Sequence, residues 1–480
     1  MRDSLFIFAL LLLATFAMIQ ETRGGETAAD GAPNFIVIFG EAHGWANSSV
    51  QMDDAIPKSK SDFYHTPNLE RLARDGMRFA NAYAASPRCT PSRAALMTGK
   101  TPAQLHMTYI GEGKKDTVPD AGLKLIPPKC VLELPQDEVT IGQMLQKQGY
   151  ATAHFGKWHL GRVNPMQHGF AENDGANGND GPDRVASPNP KEAFAMTERG
   201  IAFITKQVAA KKPFYLQISH YPARGPEGAR KETLDIYMKK AGLTDASAPS
   251  LKHLNVAEAA VLDDMDTTIG TVLKKLDDLG IAGNTYVIYS ADHGAQGRNA
   301  NVPLTAGKGN LWEGGIRVPL LIRGPGVKAG ACTHTRVAAF DLFPTIAELT
   351  HVSMPLPQGL EGGSLVPLFA NGTGDVKRSR PEMYFHFPHY DHDNEGPATC
   401  VIASDMKLFK VYETGAVKLF DLSKDYGESH DLAKEQPAKA AELEQKLTDY
   451  LKAIKAQMAT VNPNYDPNKP PDPQKPKKPK

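Results

Sequence analysis

The residues of this chain best suited to chemistry are Cys89-Thr90-Pro91-Ser92-Arg93, which run on through Ala94-Ala95-Leu96-Met97-Thr98-Gly99. Pro91 suits the first turn of a helix, Thr90 can cap it and Gly99 can end it. Cys89 then stands just ahead of a helix N-terminus, where free backbone N–H groups and the helix dipole favour an anion. Arg93, one turn further on, adds a planar fixed cation that matches an oxyanion. A lone Cys is as often a small buried hydrophobe, and residue type by itself leaves both readings open.

Such residues need a scaffold, and the flanking sequence supplies one. Asn34-Phe35-Ile36-Val37-Ile38-Phe39 is a short apolar run of buried-strand type. Tyr150 to Phe155, Phe214 to Ser219 and Thr285 to Ser290 read the same way, and the last delivers Asp292-His293-Gly294. Between them lie expected helices from Thr66-Pro67 to Gly76, from Thr140 to Gln148 and from Asn255 to Leu279. Alternation of this kind predicts an α/β fold with a large mixed, mostly parallel sheet and helices on both faces. Polar clusters recur just beyond the strand ends, where open α/β sheets place their sites. From about Pro381 the pattern changes to short strands, with Lys407 to Tyr412 and Val417 to Leu422 forming a hairpin around Glu413-Thr414-Gly415-Ala416. A final helix is expected from Pro437 to Met458.

The chain has 480 residues, too many for one ordinary core, so a large unit and a smaller one are expected. The divisions are 1–24 signal peptide, 32–375 catalytic unit, 376–460 C-terminal unit and 461–480 tail. The first rests on an apolar run from Leu5 to Ile19 after Arg2, closed by Thr22-Arg23-Gly24; an uncleaved anchor is the other reading. The expected location is therefore periplasmic or secreted, with no membrane attachment after cleavage. The tail is rich in Pro and Lys and reads as extended chain. Lys+Arg and Asp+Glu both total 54, a balance that gives no support for nucleic-acid or membrane-surface binding. Four cysteines, Cys89, Cys130, Cys332 and Cys400, do not make a disulfide framework.

Cys89-Thr90-Pro91-Ser92-Arg93-Ala94-Ala95-Leu96, followed by Thr98-Gly99-Lys100, resembles the signature of type I sulfatases, the formylglycine-dependent, arylsulfatase-like members of the alkaline-phosphatase superfamily. The resemblance covers most of 34–432. It implies that a formylglycine-generating enzyme oxidises Cys89 to Cα-formylglycine, whose hydrate attacks sulfur with one hydroxyl and expels sulfate with the other. By the same resemblance, Lys157 and His159 of Gly156-Lys157-Trp158-His159-Leu160-Gly161 would bind sulfate and deprotonate the diol. Lys308, ahead of Glu313-Gly314-Gly315-Ile316-Arg317, would contact the sulfate and the leaving oxygen. Asp292 and His293, with Glu41 and the modified Cys89, would hold a divalent metal, usually calcium. The segment after Pro381 resembles the family's small C-terminal α+β domain, a four-stranded antiparallel sheet with a packed helix.

Two positions depart from the family pattern. Glu41-Ala42 stands where two adjacent Asp ligands are usual, which lengthens one carboxylate and removes the other. In His220-Tyr221-Pro222-Ala223-Arg224, Arg224 stands where a sulfate-binding His is expected. It could hold sulfate but could not donate a proton. His220 is a second substrate-binding candidate, and His43 is either a substitute ligand or an ordinary loop residue. His386-Phe387-Pro388-His389-Tyr390 and His392 could line a sugar subsite or form a plain surface loop. The resemblance implies a sulfuric ester hydrolase acting on sulfate esters of carbohydrates. A phosphodiester or phosphonate hydrolase of the same superfamily, and a degenerate sulfatase that binds sulfated glycans without turnover, are the alternatives.

Overall fold

The computed structural model describes residues 31–110, 120–179, 181, 188–221, 228–245, 256–297, 299–391 and 394–469. The expected signal peptide, Arg224, His392 and the end of the tail lie outside the described residues.

The strand Asn34–Gly40 runs through the middle of an eight-stranded sheet, and all seven of its residues are buried. Its near-continuous apolar sequence belongs to a strand covered on both faces. Across the sheet the order is Ala331–Thr333, Met77–Phe79, Leu320–Arg323, Thr285–Ala291, Asn34–Gly40, Phe214–Ser219, Ala151–Gly156 and Glu172–Asn173. Only Leu320–Arg323 runs against its neighbours; the other pairings are parallel. The sheet is therefore mixed and mostly parallel, as the alternation predicts.

Side chains alternate between two cores, as a strand's two-residue period requires. Ile36, Ile38, Leu216, Ile218, Val287 and Tyr289 face one side with Leu69, Leu72, Ile269 and Leu273 from the helices Pro67–Asp75 and Val256–Asp278. Phe35, Val37, Tyr215 and Ile288 face the other with Leu96, Met144, Leu145, Phe343 and Ile346. Register aligns the carboxyl ends of four central strands, with Gly40 opposite Ala291, Phe39 opposite Ser219, and Gly156 opposite Ser219. The next residues along the chain are Glu41, Asp292, His220 and Lys157.

The second sheet is antiparallel and sequential: Met383–Phe387, Ala398–Ala403, Met406–Val411, Val417–Asp421. Val401, Leu408 and Leu419 pack on Leu443 and Leu447 of the helix Pro437–Ala453. Its opposite face packs Phe385 and Phe409 against Tyr83, Trp312 and Ile316 of the larger unit. The last helix stops at Ala453 rather than Met458, because Lys455 takes the left-handed conformation, with φ 54°. None of the four cysteines is bridged, and no helix among the described residues is long and apolar enough to cross a membrane.

Candidate active site

The helix that carries Cys89 begins with it, spanning Cys89–Thr98 with Arg88 at the N-cap. Sequence reasoning started the helix later, with Thr90 as its cap. That hydroxyl is used elsewhere and donates to the His159 carbonyl at 2.9 Å. Ser92 fixes the approach to the helix by donating to the Ser86 carbonyl at 2.7 Å. At the far end Gly99 is left-handed, φ 69°, and its N–H donates to the Ala95 carbonyl. Cys89 is buried.

Three groups converge on it. Ligand atoms of Glu41, Cys89, Asp292 and His293 all lie within 4.8 Å of one another. The Cys89 Sγ is 3.3 Å from His293 Nε2 and 3.4 Å from Glu41 Oε1. His293 Nδ1 lies 3.0 Å from the Gly294 carbonyl oxygen, which leaves Nε2 facing the cluster. Three cations close around these groups. Lys157 Nζ donates to Glu41 Oε2 at 2.8 Å, and Lys308 Nζ lies 3.3 Å from Glu41 Oε1 and 3.7 Å from Cys89 Sγ. Arg93 bridges Glu41 at 3.2 Å and Asp292 at 3.1 Å, and its other terminal nitrogen donates to the Lys157 carbonyl.

Burial raises the Glu41 pKa, but Lys157, Lys308 and His293 outweigh it and hold this carboxyl well below the usual range. Asp292 is pushed up to about 6, first by burial and then by the neighbouring charge of Glu41. Burial and Glu41 likewise push the Cys89 thiol up, yet Lys157, Lys308 and His293 bring it well below its ordinary value. The pocket is thus biased toward negative charge at residue 89.

His159 follows the same strand end as Lys157. Its backbone is left-handed, φ 56°, and is pinned by its own N–H donating to the Asn177 carbonyl at 2.8 Å and by the Thr90 bond. Held strain of this kind belongs at sites that position a side chain. Asn179 was not anticipated. Its Oδ1 accepts from Lys157 Nζ at 2.7 Å, and its Nδ2 lies 3.4 Å from His159 Nε2. The Asn/Gly-rich run from Asn173 to Asn179 was the available signal, since such runs form side-chain-braced loops.

One expectation needs correction, and two alternatives left open by the sequence can be set aside. His43 is not a substitute ligand: its Nδ1 bonds the Tyr289 hydroxyl and its Nε2 pairs with the Asn47 carbonyl at 3.0 Å, so both nitrogens are used. His220 is buried at its strand end, and its Nε2 faces Thr268 of the long helix at 3.5 Å rather than the cluster. His386 and His389 are buried too, bonding the Gln457 carbonyl and the Thr108 hydroxyl, so neither forms an open sugar subsite. Ala42 has no ligating group to offer, but its left-handed backbone, φ 55°, turns its N–H to Asp292 Oδ1 at 3.1 Å.

The donor set fits a divalent cation: two carboxylates and an imidazole converge within one ion's reach. Fold and site together are those of a hydrolase of the alkaline phosphatase superfamily. Residues 33–352 match the sulfatase family model, and residues 307–457 match the one described as N-sulphoglucosamine sulphohydrolase, C-terminal. The chain belongs to the sulfatase family and is a sulfuric ester hydrolase. It is 28% identical to a sulfatase of Formosa agariphila, covering 94% of this chain and 93% of that protein. It is 30% identical to the N-acetylgalactosamine-6-sulfatase of Homo sapiens, covering 75% of this chain and 70% of that one. The solved structure of Ps i-CgsB in complex with k-i-k-neocarrahexaose matches with a TM-score of 0.70 and 25% identity, over 88% of this chain and 93% of that chain. This family uses a divalent metal and a formylglycine.

Proposed function

We propose that this chain is an exported hydrolase of sulfated carbohydrates that works through formylglycine at position 89 and a bound calcium ion. The observation that carries this reading is the placement of Lys157, Lys308 and Arg93 around Cys89 and Glu41. Three cations about one nucleophile suit an anionic ester whose charge moves onto the leaving oxygen, and such preorganised charge is usually the largest catalytic term. Thiol Sγ marks where the oxygens of the oxidised side chain would lie. Hydrated formylglycine at residue 89 would supply one hydroxyl for attack on sulfur and a second for release of sulfate, which a thiol or Ser could not do. Glu41, Asp292 and His293 would hold the cation, which supplies positive charge against the sulfate oxygens.

Lys157 binds a sulfate oxygen, with Asn179 fixing its ammonium. His159, beside the same amide, takes the proton that the second hydroxyl gives up. Lys308 faces the leaving oxygen. Arg93 ties Glu41 to Asp292 and offsets part of the repulsion between the two carboxylates. The carbohydrate assignment is supported by the relatives, one an N-acetylgalactosamine-6-sulfatase and one bound to neocarrahexaose. Export is supported by the apolar run from Leu5 to Ile19. Turnover of an aryl sulfate, an aryl phosphate and sulfated galactose-containing oligosaccharides by protein matured with a formylglycine-generating enzyme tests the reading. Sulfate esters should be the preferred class; preference for phosphate esters would overturn it.

A further inference from the structure

We propose that Glu428 and Lys407, from the C-terminal sheet and the segment after it, are positioning residues for Lys308, so that the small sheet takes part in leaving-group stabilisation. The inference rests on the role given above to Lys308. That ammonium ends a flexible four-carbon stem, so its place depends on where the backbone of residue 308 is held.

Residue 308 lies in a loop clamped at both ends by one short segment. At one end the Thr305 hydroxyl donates to the Gly427 carbonyl. At the other, Glu428 Oε2 accepts the backbone N–H of Glu313 at 2.6 Å. The Gly314 N–H closes the loop on the Thr305 carbonyl at 2.9 Å. Inside it, the Lys308 N–H donates to the Ala295 carbonyl, and the Gly309 N–H to the Pro87 carbonyl, each at 3.0 Å. Pro87 stands two residues ahead of Cys89. Displacing the clamped ends therefore shifts Lys308 relative to Cys89.

The clamp is held by a buried ionic trio that links the small sheet to the loop's end at Glu313. Lys407 Nζ, on the strand Met406–Val411, lies 3.0 Å from Glu313 Oε1 and 2.7 Å from Glu428 Oε1, and all three side chains have 0% exposure. Tyr83 donates to Glu313 Oε2 at 2.9 Å. Burial would lower the Lys407 pKa, but Glu428 and Glu313 outweigh it and keep the ammonium charged. Glu428 itself is left-handed, φ 55°, an uncommon conformation for a residue with a side chain. A buried ion pair is a poor way to gain stability compared with apolar packing, so stability alone does not account for the trio. Its geometry points instead to fixing the register of the loop.

The test uses full-length protein carrying formylglycine, assayed on a series of aryl sulfates whose phenol leaving groups differ in pKa. Lys308→Ala should lose most on the poorest leaving group, because stabilising a developing oxyanion matters most there. Glu428→Ala should reproduce that steepening at smaller size, losing about ten- to a hundredfold on the poorest ester and little on the best. Glu428→Gln retains an acceptor for the Glu313 N–H and should recover most of the loss. Lys308→Ala combined with Glu428→Ala should lose no more than Lys308→Ala alone. Thr305→Val, which removes only the bond to Gly427, should show the same direction and covers the case in which Glu428→Ala fails to fold. Uniform loss across leaving groups beside a steep Lys308→Ala, or full additivity of the two, overturns the clamp alone. A flat response in Lys308→Ala overturns the reading of Lys308 and the clamp with it.

Discussion

Ala42 stands where the resemblance leads one to expect a second Asp ligand. Its backbone N–H on Asp292 occupies a carboxylate oxygen, and its methyl supplies no ligand. Asp tolerates the left-handed conformation better than Ala. Ala42→Asp should therefore fold normally and add an anionic oxygen, raising calcium affinity by about tenfold or more, since affinity follows ligand charge. Calorimetric titration of the two proteins with calcium checks this; equal affinities would place the metal elsewhere. A second expectation concerns Lys157, whose ammonium is shared between Glu41 and Asn179. Lys157→Ala should lower turnover by a factor on the order of a hundred or more, with a smaller effect on KM. A change confined to KM would make Lys157 a binding residue only. Asn179→Ala should give a weaker version of the same loss, because it acts through Lys157 and His159.

At the scale of elements, the strands were legible and the fine placement was not. Apolar runs such as Asn34 to Phe39 carry their burial in their composition, and the observed Phe214–Ser219 agrees with the expected bounds. The start of the Cys89 helix was misplaced because Thr90 has a better partner in His159, 69 residues away. The choice between ligand and loop residue for His43 was open for the same reason: Tyr289, 246 residues on, completes its bonds. Contacts between distant segments leave no local pattern to read. The long helix Val256–Asp278 adds a pH-dependent brace to the segment that carries His43 and Asn47, through Glu258, whose Oε1 accepts from Asn47 at 2.9 Å. Burial raises the Glu258 pKa from 4.5 to about 7. Folding thus favours the protonated acid, and this group's contribution is lost as pH rises from the lower value through the upper. Glu258→Gln should stabilise the protein by about 1–3 kcal/mol at pH 8 and by much less at pH 5. Urea unfolding at both values checks it, and an equal gain at both would refute the assignment.

Across the whole molecule, the site stands at strand ends of the large sheet, and the small sheet packs against the same unit through Phe385 and Phe409. The alternation of strand and helix foretold the large sheet, and the change of pattern after Pro381 foretold the small one. What the sequence could not display was the join between them, because Lys407 and Glu313 are 94 positions apart and each reads singly as a surface charge. Glu41, Cys89, Asp292 and His293 come from two strand ends and one helix start, and the parallel register brings them to one level. The proposed function makes residue 89 a formylglycine, and this central claim can be measured directly. Protein co-expressed with a formylglycine-generating enzyme should yield, on proteolysis and mass spectrometry, a peptide spanning position 89 that is lighter than the Cys form by the thiol-to-aldehyde difference. A peptide carrying only the unmodified thiol would contradict the account.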